Sequence, residues 1–217
     1  MNSGLHNRRR YSMDILFLGD SITDCGHCFT EDNLGNGFVK RISTLPGVRA
    51  TNGGTDGFTF PRVLQKWEQL YKTKQYDCVV ITGGINEVSV IADTGLSEER
   101  ADEFLNQSME ALKRLLSGLL QQQTRRILLV EPFLFPVPQY LCMWMPSLAL
   151  VRERMKKTVS VFDPNTVLLV SVQNALDKLA GQVGFPSVTT DGVHLTDTGH
   201  DCLAKCLAKS LQTGLCQ

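Results

Sequence analysis

The sequence predicts a doubly wound α/β domain built on a parallel sheet, and three observations carry that prediction. Five short runs are almost continuously apolar or β-branched, the pattern of strands whose two faces are both covered. The segments between them place apolar residues at helical spacing. Polar motifs, several rich in glycine, follow the strands, and the carboxyl edge of an open α/β sheet is where ligands bind.

The first strand is read over Asp14 to Leu18, and a polar motif beginning at Gly19 ends it. The second covers Val48 to Thr51 and runs into a glycine-rich turn. A helix is expected over 58–71, where Phe60, Val63, Leu64, Trp67, Leu70 and Tyr71 fall on one face. The third strand, Cys78 to Thr82, precedes a long helix over 98–122 with a leucine-rich stripe. The fourth, Ile127 to Val130, enters the proline-rich stretch Pro132–Pro138, which cannot continue a helix and is read as a loop. A helix over 148–162, a fifth strand at Val167 to Val170, and helices over 173–180 and 196–213 complete the chain.

The 217 residues suit one domain, read over 13–217, behind a polar leader at 1–12 taken as a disordered segment or an added extension. With 42% apolar and 20% charged residues, the composition is that of a soluble globular protein. Lys plus Arg and Asp plus Glu each total 22, so no net field favours capture of nucleic acid or an anionic membrane. Arg8-Arg9-Arg10 is followed by only a short apolar run, which is no secretory signal, and nothing approaches the ~18 apolar residues of a membrane span. The seven cysteines are odd in number and mostly scattered, so they are read as reduced thiols of a cytoplasmic protein.

Four motifs follow the strands or precede the last helix. Gly19-Asp20-Ser21-Ile22-Thr23-Asp24 puts a serine at the carboxyl end of the first strand, where a hydroxyl can face a cleft; alone, it reads better as a helix cap. Asn52-Gly53-Gly54-Thr55-Asp56-Gly57 permits positive φ and offers backbone N–H groups to an anion, though its spacing is not that of a phosphate loop. Gly83-Gly84-Ile85-Asn86-Glu87 brings a side-chain amide that can donate to a developing oxyanion. Asp191-Gly192-Val193-His194 spaces a carboxylate and an imidazole for contact across a tight turn. Together they supply a nucleophile, a base, an orienting acid and oxyanion donors, the parts that acyl transfer requires.

The same blocks resemble the signature of the SGNH, or GDSL, hydrolases, in the family's order and over nearly the whole chain. They are G-D-S-I-T-D at 19–24, N-x-G-x-x-G at 52–57, G-x-N at 84–86 and D-x-x-H at 191–194. The likeness is greatest to compact cytoplasmic esterases that remove acetyl or other short acyl groups, often from carbohydrate. It implies a flavodoxin-like three-layer α/β/α sandwich around a five-stranded parallel sheet, with no metal or organic cofactor. It makes Ser21 the nucleophile, His194 the base and Asp191 its partner, with oxyanion donors from the Ser21 and Gly57 N–H groups and the Asn86 amide. The expected partner is a small ester such as an acylated sugar; a homo-oligomer is compatible with the sequence. Glu87 stands where the family usually has aspartate, and His27 where relatives often carry arginine.

Asp20, Tyr140 and Trp144 are further candidates for substrate contact, the last two in an apolar stretch after the fourth strand. A lysophospholipase- or thioesterase-like acyl hydrolase is the alternative on the same fold. Cys25-Gly26-His27-Cys28 offers a rival dithiol redox reading, or a weaker zinc one, but leaves the four blocks without a role. A non-enzymatic binding protein is disfavoured because nucleophile and base are both present, and an α/β-hydrolase because no G-x-S-x-G elbow occurs.

Overall fold

The computed structural model describes residues 12–212, so all but the last residue of the expected leader lies outside the described part. Five strands, β1 (Met13–Gly19), β2 (Val48–Gly54), β3 (Cys78–Thr82), β4 (Arg126–Val130) and β5 (Val167–Val170), form one sheet. Their order is β2-β1-β3-β4-β5 and every pairing is parallel. Each expected strand is present, extended by a few residues in β1, β2 and β4. The chain winds one way from β1 to β2 and the other way from β3 onward, which opens a crevice at the carboxyl edge between β1 and β3.

Helices cover both faces because alternate strand residues point to opposite sides. Leu16, Leu18, Val79, Ile81, Ile127 and Leu129 pack under α3 (Phe60–Leu70), α4 (Ile85–Asp93), α5 (Glu98–Gln121) and α6 (Met145–Val159). Ile15, Phe17, Cys78, Val80, Leu128 and Val130 pack under α1 (Ser21–Asp24), α2 (Phe38–Ser43), α7 (Gln173–Val183) and α8 (Asp197–Gln212). This is the expected three-layer sandwich. Short α1, α2 and α4 are additions to the sequence reading. The helix expected over 148–162 begins at Met145, with a proline in its first turn, where a missing N–H is harmless. Among the described residues, no helix is long and apolar enough to cross a membrane.

The register aligns the motifs. Gly19 pairs with Gly54, Leu18 with Ile81, and Thr82 with Val130, so β1, β2 and β3 end side by side. The Thr55 N–H then donates to the Gly19 carbonyl at 3.0 Å, tying the first two loops together.

Candidate active site

Ser21 opens α1 directly after Asp20, whose backbone is extended and whose Oδ1 accepts the Ile22 N–H at 3.1 Å. The carboxylate is therefore the cap of a one-turn helix that turns Ser21 toward the crevice. Asp20 itself is buried, and Thr82 at the end of β3 donates its hydroxyl to the same Oδ1 at 3.3 Å. Burial pushes the Asp20 carboxyl up to about 6, opposed by the Ile22 N–H and Thr82 hydrogen bonds.

The carboxylate–imidazole pair comes from a tight hairpin closed by the Thr189–Leu195 bridge. The Thr189 hydroxyl accepts the Gly192 N–H and donates to the His194 carbonyl, both at 2.8 Å. Gly192 makes this turn feasible: its φ is +91°, and a Cβ there would lie 2.2 Å from the Val137 carbonyl oxygen. Asp191 Oδ1 accepts the N–H groups of Val193 and His194 at 2.9 and 2.8 Å, which aims Oδ2 at His194 Nδ1, 2.7 Å away. On the other edge of the ring, Nε2 lies 2.9 Å from Ser21 Oγ. Burial alone raises the Asp191 carboxyl, but the hydrogen bonds from the His194 ring and the two backbone N–H groups outweigh it and hold it below the usual carboxylate value. An ionised Asp191 keeps the Nδ1–H tautomer and leaves Nε2 free to accept the serine proton.

The other loops converge on the same edge. Asn52 holds the first two blocks together, donating to the carbonyls of Thr23 and Leu34 at 2.8 and 2.9 Å while its Oδ1 accepts the Gly54 N–H at 2.9 Å. Lys66 reaches from α3 to the Gly54 carbonyl and the Thr55 hydroxyl at 2.8 and 2.6 Å. Gly57 has φ +71°, and no atom lies within 4 Å of where its Cβ would stand, so its backbone faces open space. Asn86 Nδ2 donates to the Phe58 carbonyl at 2.9 Å. An amide nitrogen carries two hydrogens, so one stays available for an oxyanion. The replacement at position 87 is a local change: Glu87 is buried and its Oε1 accepts the Phe60 N–H at 2.7 Å.

A small cleft lies beside this assembly, lined in part by Asp20 and Ile22 on either side of Ser21, with Val130, Pro132, Phe133 and Val193. Tyr140 is exposed on the 3₁₀ turn Gln139–Trp144. Trp144 is half-buried, and its Nε1–H donates to Asp93 at 2.8 Å, so its ring is fixed to the end of α4. Leu141 lies between them in sequence and packs against Gly192 of the Asp191–His194 hairpin.

The cysteine motif is split. Cys25 Sγ faces the Ser21 and Ile22 carbonyls and lies 3.3 Å from His200 Nε2, whereas Cys28 is exposed. Burial pushes the Cys25 thiol up to about 12, which removes the thiolate a redox dithiol needs. Among the described residues, no cluster of three or more His, Cys, Asp or Glu side chains is arranged to hold a metal ion. The motif reading did not find Thr82, Thr189 or the Glu87–Phe60 hydrogen bond, since a lone Thr or Glu carries no spacing signal.

An acetylxylan esterase from Geobacillus stearothermophilus is 26% identical over 212 residues, covering 91% of this chain and 93% of its own. A crystal structure of an acetylxylan esterase from that organism superposes with a TM-score of 0.74 at 24% identity, over 92% of this chain and 95% of its own. Solved structures of that enzyme include catalytic mutants in which a serine, an aspartate or a histidine is replaced by alanine. An alpha/beta hydrolase enzyme from the metagenome of Lake Arreo, Spain, superposes with a TM-score of 0.76 at 20% identity, over 94% and 98% of the two chains. The model of the GDSL-like Lipase/Acylhydrolase family matches residues 17–202, and the chain is a carboxylic ester hydrolase belonging to that family.

Proposed function

We propose that this chain, acting through a single domain over 13–217, removes acetyl or similarly short acyl groups from a carbohydrate through an acyl-enzyme on Ser21. The observation that carries the reading is the unbroken relay Ser21 Oγ–His194 Nε2 and His194 Nδ1–Asp191 Oδ2, at 2.9 and 2.7 Å. His194 takes the serine proton as Oγ attacks the ester carbonyl. The Ser21 and Gly57 N–H groups and the free Asn86 amide hydrogen receive the oxyanion. His194 then protonates the leaving alcohol and activates water for deacylation. The small, largely apolar cleft beside Ser21 supports a short acyl group, and the acetylxylan esterase relatives support a sugar alcohol. Exposed Tyr140, half-buried Trp144 and Asp20, which lines the cleft beside Ser21, are proposed as substrate contacts.

The test is hydrolysis of p-nitrophenyl esters from acetate to octanoate, then of acetylated xylooligosaccharides and lysophospholipid, with Ser21→Ala as the control. Acetate-selective turnover that vanishes in the variant, with acetate release from the oligosaccharide, is the expected result. A preference for octanoate and lysophospholipid overturns the carbohydrate reading in favour of a lipid acyl hydrolase. Asn86→Ala is expected to lose on the order of a hundredfold or more in kcat; unchanged kcat removes Asn86 from the oxyanion site.

A further inference from the structure

A second carboxylate–imidazole–nucleophile array lies just past the end of α1. His27 Nδ1 is hydrogen-bonded to Asp24 Oδ1, and its Nε2 lies 3.4 Å from Cys28 Sγ. The imidazole and the carboxylate are mostly buried, with 13% and 23% of their side-chain surfaces exposed, whereas the thiol at the end of the array is open to solvent. The charge environment comes from other elements too. The Lys66 ammonium of α3 is within electrostatic reach of both Asp24 and Cys28, and Tyr71, just beyond α3, is within electrostatic reach of Cys28. The adjacent Phe29 ring is 94% exposed and offers an apolar surface beside the thiol.

We propose that Cys28 is a site of covalent thiol modification, with His27 as its general base and Asp24 orienting that base, which captures low-molecular-weight disulfides as a mixed disulfide. In this step Cys28 Sγ attacks one sulfur of the disulfide while its proton passes to His27 Nε2. The new S–S bond forms as the old one breaks, and the departing thiolate takes the proton from His27 to leave as a thiol. Cys28 is oxidised and the departing sulfur is reduced. Resolution by Cys25 is blocked, since that thiol is turned toward Ser21, Ile22 and His200, and its pKa stands at about 12. The adduct therefore persists, in contrast to a C-x-x-C oxidoreductase, and ester hydrolysis is not required for it to form.

Cys142, exposed on a different turn, provides an internal comparison. The full chain is incubated with oxidised glutathione at pH 7, and each cysteine is followed by mass spectrometry of its peptide. Cys28 is expected to gain one glutathione faster than Cys142. His27→Gln is expected to slow Cys28 by about tenfold, since an ordinary cysteine is already a few per cent thiolate at pH 7, and to leave Cys142 unchanged. Asp24→Asn is expected to slow Cys28 less than His27→Gln does. Circular dichroism and retained esterase turnover establish that the variants are folded. Equal rates at Cys28 and Cys142, an unaffected Cys28 rate in folded His27→Gln, or a two-hydrogen mass loss from a Cys25–Cys28 disulfide would each overturn the proposal.

Discussion

The Glu87 carboxyl accepts the Phe60 N–H at 2.7 Å while its neighbour Asn86 donates to the Phe58 carbonyl at 2.9 Å. Two consecutive residues at the start of α4 thus hold the segment that joins Gly57 to α3. Phe60 is the first residue of that helix, and Thr59 makes no side-chain cap, so Glu87 satisfies an N–H that would otherwise be orphaned. Glu87→Ala is expected to lower stability by about 1–3 kcal/mol through the unpaired buried N–H, and to lower kcat by displacing Gly57. Glu87→Gln keeps an acceptor oxygen and is expected to retain most of both. Thermal melts and turnover on p-nitrophenyl acetate check the pair; equal losses in both variants would remove the hydrogen bond as the cause.

The same carboxyl governs the pH response above neutrality. Burial pushes Glu87 from 4.5 up to about 7. Over that interval the folded protein retains a proton that the unfolded chain has lost, so stability from this group is complete below about pH 4.5 and is lost as pH rises through 7. Asp20, raised to about 6, acts in the same direction, whereas His200, lowered by burial from 6.5 to about 4, opposes both below pH 6.5. Above 6.5 the opposition fades as the unfolded imidazole loses its own proton. Tm is therefore expected to fall between pH 6.5 and 8, and to fall less in Glu87→Gln. A Tm rising over this range in the wild type would contradict the assignment.

Asp191→Asn separates orientation from charge. The side-chain oxygen can still accept the Val193 and His194 N–H groups, as Oδ1 does at 2.9 and 2.8 Å. The amide nitrogen then faces His194 Nδ1 and favours the tautomer that protonates Nε2, the atom beside Ser21. A kcat loss on the order of 10⁴ with an unchanged fold is expected, measured on p-nitrophenyl acetate. A loss below tenfold would show that the tautomer is fixed by other means.

Gly192→Ala tests the hairpin. A left-handed residue with a Cβ is strained by roughly 1–2 kcal/mol, and the added methyl meets the Val137 carbonyl and Leu141 at 2.2 and 2.4 Å. Lower Tm and lower kcat are expected together, because Asp191 and His194 flank the displaced backbone. Thermal melts and ester turnover measure both, and a native-like Tm would show that the 132–138 loop yields freely.

The strands were legible because a core covered on both faces leaves little choice of residue along a parallel strand, as in Ile15–Leu18 or Val79–Ile81. α4 was missed because Val88, Val90 and Ile91 are β-branched and follow two glycines, a local bias that tertiary packing overrides. α2 has six residues, too few to display a period. At the site, Ser21, Asp191 and His194 stood out through motif spacing, whereas Thr82 and Glu87 are polar groups whose partners are distant in sequence, and Thr189 has local partners but no motif to mark it. His200, on the last helix, is buried against Phe38 and Cys25. Trp144, read as a possible sugar platform, has its indole N–H engaged by Asp93, information that only the fold carries.

The serine and its histidine are 173 positions apart, one at the end of the first strand and the other after the last. On the proposed mechanism, a nascent chain emerging from the ribosome therefore carries its nucleophile long before the residues through His194, which supply the base, have been made. Ester turnover during translation would then register the arrival of the Asp191–His194 hairpin, and termination before Asp191 is expected to release fragments with Ser21 but no hydrolytic capacity.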